Sequence, residues 1–281
     1  MIGKTILITG ASSGFGLITT IELCRRGFEV IATMRDLTNK DTIIKLCQQN
    51  EVASPTYFLQ LDVTNSNSIE NLAVNLEALP PIDILINNAG FALGGFAEEV
   101  SLQEYKEQFE TNLFGVISVT HAVLPNMRER GEGKIINVSS ISGIIAFPGL
   151  SAYVASKHAL EGWTECLRLE VKPFGIDVAL IEPGSFQTNI WTKGKRIAKS
   201  SLLKSSPYRS YMRAIENEME KGRSSYGEPQ IVALLITELC LRKQIKKLRY
   251  PIGKGVRTII FLKHFLPWLF WEQIVLKKLK Q

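Results

Sequence analysis

Short apolar runs alternate along the chain with longer amphipathic ones. Thr5-Ile-Leu-Ile-Thr9 reads as a buried strand. Gly10-Ala-Ser-Ser-Gly14-Phe-Gly16 follows at once, then a helical pattern with Leu17, Ile21 and Leu23 apolar that closes on Arg25, Arg26 and Gly27. Further strand-like runs are 29–34, 57–61, 84–87, 134–138 and 177–181, and the longest helical run extends from near Ser151 to about Val171. Strands that alternate with helices predict a doubly wound α/β fold, a parallel sheet with helices on both faces. The 281 residues, 45% of them apolar, suffice for one large domain with a buried core. No repeat, low-complexity segment or Gly/Ser/Pro-rich linker divides them, so 1–281 reads as a single domain.

Strand, glycine turn and helix is the context that a dinucleotide requires. Glycines let the backbone approach a pyrophosphate, and a helix N-terminus offers it unpaired N–H groups. The spacing alone would serve equally to close a tight connection. Farther along, Tyr153-Val-Ala-Ser-Lys157 puts a phenol and an ammonium four residues apart, on one face of a helix. A tyrosine ordinarily ionises near pH ~10. A neighbouring cation favours the phenolate and makes proton exchange feasible. A packed ring beside a solvated lysine has the same spacing, so this pair too needs support from elsewhere.

That support is collective. Thr9-Gly10-x-x-x-Gly14-x-Gly16, Asn87-Asn88-Ala89-Gly90, Ser140 and Tyr153-x-x-x-Lys157 together resemble the short-chain dehydrogenase/reductase family, in its order and spacing, from about Thr5 to Thr188. The resemblance implies a Rossmann-type fold and an oxidoreductase that interconverts a carbonyl and an alcohol. Tyr153 is then the proton donor in reduction and the base in oxidation, while Lys157 lowers its pKa and binds the nicotinamide ribose. Ser140, which the family spacing selects over Ser139 and Ser142, hydrogen-bonds the substrate oxygen. Asn112 matches an asparagine that holds a water between the lysine and solvent, although an asparagine in a helical run also suits a kink or a cap. Gly10, Ser12, Ser13, Gly14, Phe15 and Gly16 fall in the cofactor turn, and Asp62 with Val63 at the adenine. Asn88, Ala89 and Gly90 run beside the adenosine ribose or brace the sheet. Pro183, Gly184 and Thr188 match the segment at the nicotinamide carboxamide.

The end of the second strand bears on cofactor choice. NAD sites of this shape place an acid there for the ribose 2′-hydroxyl, whereas an arginine suits a 2′-phosphate. By resemblance Met34 occupies the acid's position and Arg35 follows it, which predicts NADP(H). Asp36 counts against this, because it could neutralise Arg35 or take the ribose itself.

Beyond Thr188 the family pattern thins. Residues 186–226 read as a lid of two helices with Phe186, Ile190, Trp191, Tyr208, Tyr211 and Met212 among polar groups. With Phe147 and Leu150, and with Leu93 and Phe96, they suit a hydrophobic substrate. The expected substrate contacts are Ser140, Phe147, Leu150 and Phe186. Steroid and retinol dehydrogenases of the family have comparable lids, and Tyr250-Pro-Ile-Gly253 resembles that group. The same aromatics would serve equally as the lid's own core.

Charge is unevenly divided. Residues 191–281 hold 20 Lys and Arg against 6 Asp and Glu, about +14, so the rest carries −8 and the chain +6. The tail 256–281 mixes Phe, Leu, Ile and Trp with Lys263, Lys277, Lys278 and Lys280, and is interrupted by Pro267 and Glu272. It is too broken to span a bilayer, which takes about 20 mainly apolar residues. It reads either as an interfacial helix on an anionic membrane or as a helix docked on the cleft or on a partner subunit. A nucleic-acid partner is not expected. His121, His158 and His264 lack metal-ligand spacing, so no metal is expected. Cys24, Cys47, Cys166 and Cys240 are scattered, as buried thiols of a reducing compartment would be. The first strand begins within five residues, leaving no room for a signal peptide, and the reading is cytoplasmic. The family resemblance implies a dimer or tetramer. Two other classes remain: an NADP-binding sensor without turnover, and a membrane-recruited scaffold.

Overall fold

A computed structural model describes residues 3–188 and 196–279. The chain runs β1 (Thr5–Ile8), α1 (Gly14–Arg25), β2 (Glu29–Met34), α2 (Lys40–Gln49), β3 (Tyr57–Gln60), α3 (Ser66–Ala78), β4 (Ile84–Asn87) and β5 (Leu93–Gly94). It continues through α4 (Leu102–Phe109), α5 (Gly115–Arg130), β6 (Gly133–Val138), α6 (Ser151–Val171), β7 (Ile176–Pro183) and β8 (Arg196–Ile197). The last elements are α7 (Arg209–Gly222), α8 (Pro229–Leu241), β9 (Arg249–Ile252), α9 (Val256–Phe265) and α10 (Trp268–Leu279).

Seven strands form one parallel sheet in the order β3-β2-β1-β4-β6-β7-β9. The strand order reverses between β1 and β4, and at such a switch point the loops diverge and leave a crevice beyond the strand ends. Side chains alternate across the sheet. Ile6, Ile8, Val30 and Ala32 face one core with Leu239 and Cys240 of α8. Leu7, Ile31 and Leu85 face the other, with Val119, Val123 and Met127 of α5. Burial on both faces explains why these strands are uniformly apolar rather than alternating.

The edge strand β9 was not apparent from the sequence, where Tyr250-Pro-Ile-Gly253 stands out only as a motif. Proline is tolerated there because β9 has one neighbour, β7, and needs no donor on its open side. Polar clamps hold this edge. Arg168 donates to the carbonyls of Ile245 and Lys246 at 3.1 and 3.0 Å. Buried Lys134 donates to the Cys240 carbonyl at the end of α8, at 2.8 Å.

Two expectations need correction. Among the described residues the lid holds one α-helix, α7, flanked by short 3-10 turns at Ser200–Leu202 and Arg223–Ser225, instead of two helices. The tail forms two helices and not one. Leu266 is extended (φ −77°, ψ 131°), as a residue before proline prefers, and so separates α9 from α10. Ile190, Trp191 and Lys280, named above for the lid and tail, lie outside the described residues. No helix among the described residues is long and apolar enough to cross a membrane.

Candidate active site

A cleft of about 770 Å³ opens at the carboxyl ends of the central strands. One end is made by the turn after β1. Gly10 and Gly14 there have positive φ, +67° and +56°, which only glycine adopts without strain. Nothing lies within 4 Å of where a Gly14 side chain would start, so the turn leaves open space over the start of α1. Ser13, at the N-cap, makes no side-chain capping bond. The first N–H groups of α1 are therefore not occupied by that side chain. Open space beside such groups fits a diphosphate.

The turn is held from the neighbouring loop. Thr9 Oγ1 accepts from the backbone N–H groups of Asn88 and Ala89, both at 3.0 Å. Asn88 Nδ2 donates to the Thr9 and Gly10 carbonyls at 2.9 and 3.1 Å. Gly16 packs against this brace and does not line the cleft; a side chain there would meet the Gly10 carbonyl oxygen. Ser12, Ser13, Phe15, Met34, Arg35, Asp62, Val63, Ala89 and Gly90 line the same end of the cleft with Gly10, Gly14 and Asn88. Asp36 turns away from Arg35: its carboxylate accepts from the Thr38 backbone and hydroxyl at 2.9 and 2.7 Å. These bonds hold its pKa below the ordinary carboxylate value.

At the other end, Ser140, Tyr153, Lys157, Pro183, Gly184, Phe186 and Thr188 converge. Ser140 caps the 3-10 turn Ile141–Gly143 just after β6, and its Oγ accepts from Ser142 N at 3.1 Å. The same hydroxyl hydrogen-bonds Tyr153, whose ring is buried. Lys157 follows one helical turn later on α6, with its Nζ 5.9 Å from the Tyr153 ring centre. That ammonium donates to the Val138 carbonyl at 2.8 Å. Burial raises the Tyr153 pKa and the Ser140 hydrogen bond opposes it. Lys157 was expected to pull the Tyr153 pKa down, but desolvation dominates both groups. Burial lowers Lys157 itself to about 8, against the field of Glu161.

Asn112 sits in a π-helical turn, Glu110–Phe114, that joins α4 to α5. The extra residue of such a turn redirects a side chain. Its Oδ1 accepts from Phe91 N at 3.1 Å, and its Nδ2 donates to the Phe91 carbonyl and to Ser156 Oγ. Asn112 is fully buried and ties the loop after β4 to α6 without lining the cleft. Phe147 and Leu150 do not line it either. Phe186 does, but its ring is buried edge-on to Phe15, at 5.7 Å between centres. The lid aromatics pack together: Tyr208 stacks on Phe96 at 4.4 Å, and Tyr211 meets the same ring edge-on. Residues that the sequence reading missed include Arg196, whose guanidinium lies 4.1 Å over the Phe91 ring at the cleft wall. No spacing ties Arg196 to Phe91; only the pairing of β8 with β5 brings them together.

Comparison with known proteins gives the same placement. Residues 4–197 match the model of the short chain dehydrogenase family. The oxidoreductase YusZ of Bacillus subtilis is 47% identical over 98% of both chains. The 3-ketodihydrosphingosine reductase of Bacteroides thetaiotaomicron is 38% identical over 91% of this chain and 90% of its own. A short-chain dehydrogenase from Streptomyces avermitilis superposes with a TM-score of 0.80 at 33% identity, covering 99% of this chain and 98% of that one. With the glycine turn, the Asn88 brace and the Ser140–Tyr153–Lys157 cluster in one cleft, this chain belongs to the short-chain dehydrogenase family of oxidoreductases, which use a nicotinamide cofactor.

Proposed function

We propose that this chain, acting as a single domain, is an NADP(H)-dependent oxidoreductase that interconverts a carbonyl and an alcohol on a hydrophobic substrate. The observation that carries the reading is the buried Tyr153 phenol, hydrogen-bonded by Ser140 and followed one turn on by the Lys157 ammonium, at the end of the cleft. The nicotinamide, when bound, supplies or accepts the hydride. In reduction Ser140 holds the substrate oxygen and Tyr153 passes its proton to it as negative charge develops there. Lys157 binds the nicotinamide ribose and supplies positive charge beside the phenol. Asn112 holds the loop after β4 against α6, which keeps Ser156 and its helical neighbours in place. Phe91 and Phe186, which line the cleft, favour an apolar substrate. A relative named as a reductase of 3-ketodihydrosphingosine supports the same class.

NADP(H) is favoured over NAD(H) by three features of the β2 end. Met34 offers the ribose no acceptor, Arg35 is exposed at the cleft, and Asp36 is engaged by Thr38. Reduction of a panel of hydrophobic aldehydes, retinoids, ketosteroids and 3-oxoacyl thioesters is expected to be more efficient with NADPH than with NADH. Arg35→Ala is expected to cut that preference by about tenfold or more, the worth of one charge-assisted pair. Equal efficiency of the wild type with NADH would dismiss the NADP reading.

We also read the tail as contacting an anionic lipid surface. Phe261, Phe265, Trp268, Leu269 and Phe270 are more than half exposed, and Lys263 Nζ lies 4.3 Å from the centre of the Trp268 ring. Tryptophan beside lysine is an interfacial signature. The docked alternative has its own support, since Trp271 is buried and α10 touches α7. Flotation with anionic vesicles is expected for the full chain and not for a chain ending at Gly255, and it should weaken with salt. Equal flotation of both dismisses the anchor.

A further inference from the structure

Behind the reactive tyrosine, α6 carries a ladder at four-residue spacing: Tyr153, Lys157, Glu161 and Glu165. Glu161 is 5% exposed and Glu182, on β7, 1%. Arg249, from β9, reaches both carboxyls with one nitrogen: Nε lies 3.1 Å from Glu161 Oε2 and 3.4 Å from Glu182 Oε1. Its Nη2 takes Glu165, on the exposed side, at 3.2 Å. Two buried carboxyls thus meet one guanidinium, with Lys157 on the same face of α6. Gly143 leaves room for the cluster, because a side chain there would come within 2.8 Å of Glu161 Cγ and 2.9 Å of Ser139 Oγ.

The hydrogen-bond inventory is incomplete if both carboxyls are ionised. Glu161 Oε1, Glu182 Oε1 and Ser139 Oγ are buried and lack a well-formed partner. One proton between the two carboxyls, with the Ser139 hydroxyl turned toward Glu161, satisfies all three. Charge balance asks for the same state. Glu165 meets Arg249 on the exposed side, where water screens it. On the buried side a singly charged pair therefore balances the guanidinium, whereas a doubly charged one would bind Lys157 as a second counter-ion. A neutral pair would leave the lysine buried without support.

We infer that Glu161 and Glu182 share a single proton under the clamp of Arg249 and act as positioning residues for Lys157, leaving its charge to Tyr153 and the cofactor. The inference rests on the oxidoreductase reading only for its second half. The directions of titration agree with it. Burial, then the charge of Glu161, pushes Glu182 up to about 8. Burial also raises Glu161, against Ser139, Arg249 and Lys157. The groups facing the pair are thus Lys157 and Glu165 from α6, Arg249 from β9 and Ser139 from the end of β6.

Infrared spectra of the whole protein test the shared proton directly, because ordinary carboxyls are ionised at neutral pH. The wild type is expected to show the carbonyl stretch of a buried carboxylic acid at neutral pH, lost as pH rises through about 8. Glu161→Gln and Glu182→Gln are each expected to remove it. Absence of the band in the wild type overturns the inference whether or not the variants fold, and so does its persistence in Glu182→Gln. NADPH fluorescence titrations then test the positioning. Glu161→Gln is expected to lower the pH at which NADPH affinity is half lost by about one unit, a tenfold change in proton affinity. Glu182→Gln, which leaves the Glu161 charge, is expected to keep that midpoint. An unchanged midpoint in Glu161→Gln, or equal loss of affinity at every pH in both variants, reduces the cluster to a structural clamp. A wild type that binds neither NADPH nor NADH at any pH defeats the oxidoreductase reading and the positioning with it, while the infrared band still decides the shared proton.

Discussion

Tyr153→Phe is expected to lower turnover by about 10²- to 10⁴-fold, the usual worth of a positioned general acid, and to leave NADPH binding within a few-fold of wild type. The substitution removes one oxygen and leaves the buried ring itself in place. Lys157 keeps its bond to the Val138 carbonyl, and the glycine turn lies at the far end of the cleft. The loss should therefore appear in kcat with little change in KM for the cofactor. The pH dependence has a definite sign. Burial holds the Tyr153 proton more tightly than usual, so the phenol is available as an acid through neutral pH. Lys157 loses its charge as pH rises through about 8. Reduction is thus expected to be sustained below that value and to decline above it. Substantial turnover by Tyr153→Phe, with the same pH profile as wild type, would remove Tyr153 from the mechanism. No turnover by either form, with NADPH bound by both, would favour a sensor.

What was legible in the sequence follows a physical division. The glycine turn and the Tyr153–Lys157 pair are local: their geometry is set by backbone within a few residues, so spacing alone predicts who faces whom. Ser140 was singled out from Ser139 and Ser142 only by the family spacing, and the turn that aims it at Tyr153 is seen only in the fold. Six of the seven strands of the main sheet were found because they read as short apolar runs, as burial within a covered parallel sheet requires. Partners joined through tertiary structure were not legible. Arg249 reaches Glu161 and Glu182 only because β9 adds itself to the open edge of β7, and Pro251 masks that strand. Arg196 reaches Phe91 only through the small sheet of β5 and β8. Phe147 and Leu150 were placed near Tyr153 by sequence distance, yet neither lines the cleft. Asn112 was open between a kink and a water site. It stands in a π-turn, which hydropathy cannot register, and its amide is bound to Phe91 and Ser156.

Gly16→Ala is expected to weaken NADPH binding by tenfold or more and to cost about 1–3 kcal/mol of stability, the range for overpacking a close contact. The reason is space, not backbone strain. A methyl at Gly16 would start 2.3 Å from the Gly10 carbonyl oxygen and 2.4 Å from Asn88 Nδ2. Asn88 Nδ2 cannot yield cheaply, since it donates to the carbonyls of both Thr9 and Gly10. Relief therefore requires the first turn of α1 to lift from the loop, which moves the very N–H groups proposed to receive the pyrophosphate. Gly162→Ala is the control: it lies within α6, has nothing within 4 Å, and should gain up to about 1 kcal/mol from helix propensity. Thermal unfolding and NADPH fluorescence titration of the two variants separate the cases. If Gly16→Ala matches wild type in both, the close approach of α1 to the Gly10 turn is not what shapes the cofactor site. If stability falls while affinity holds, Gly16 serves the packing of α1, and the pyrophosphate is carried by the turn at Gly10 and Gly14 alone.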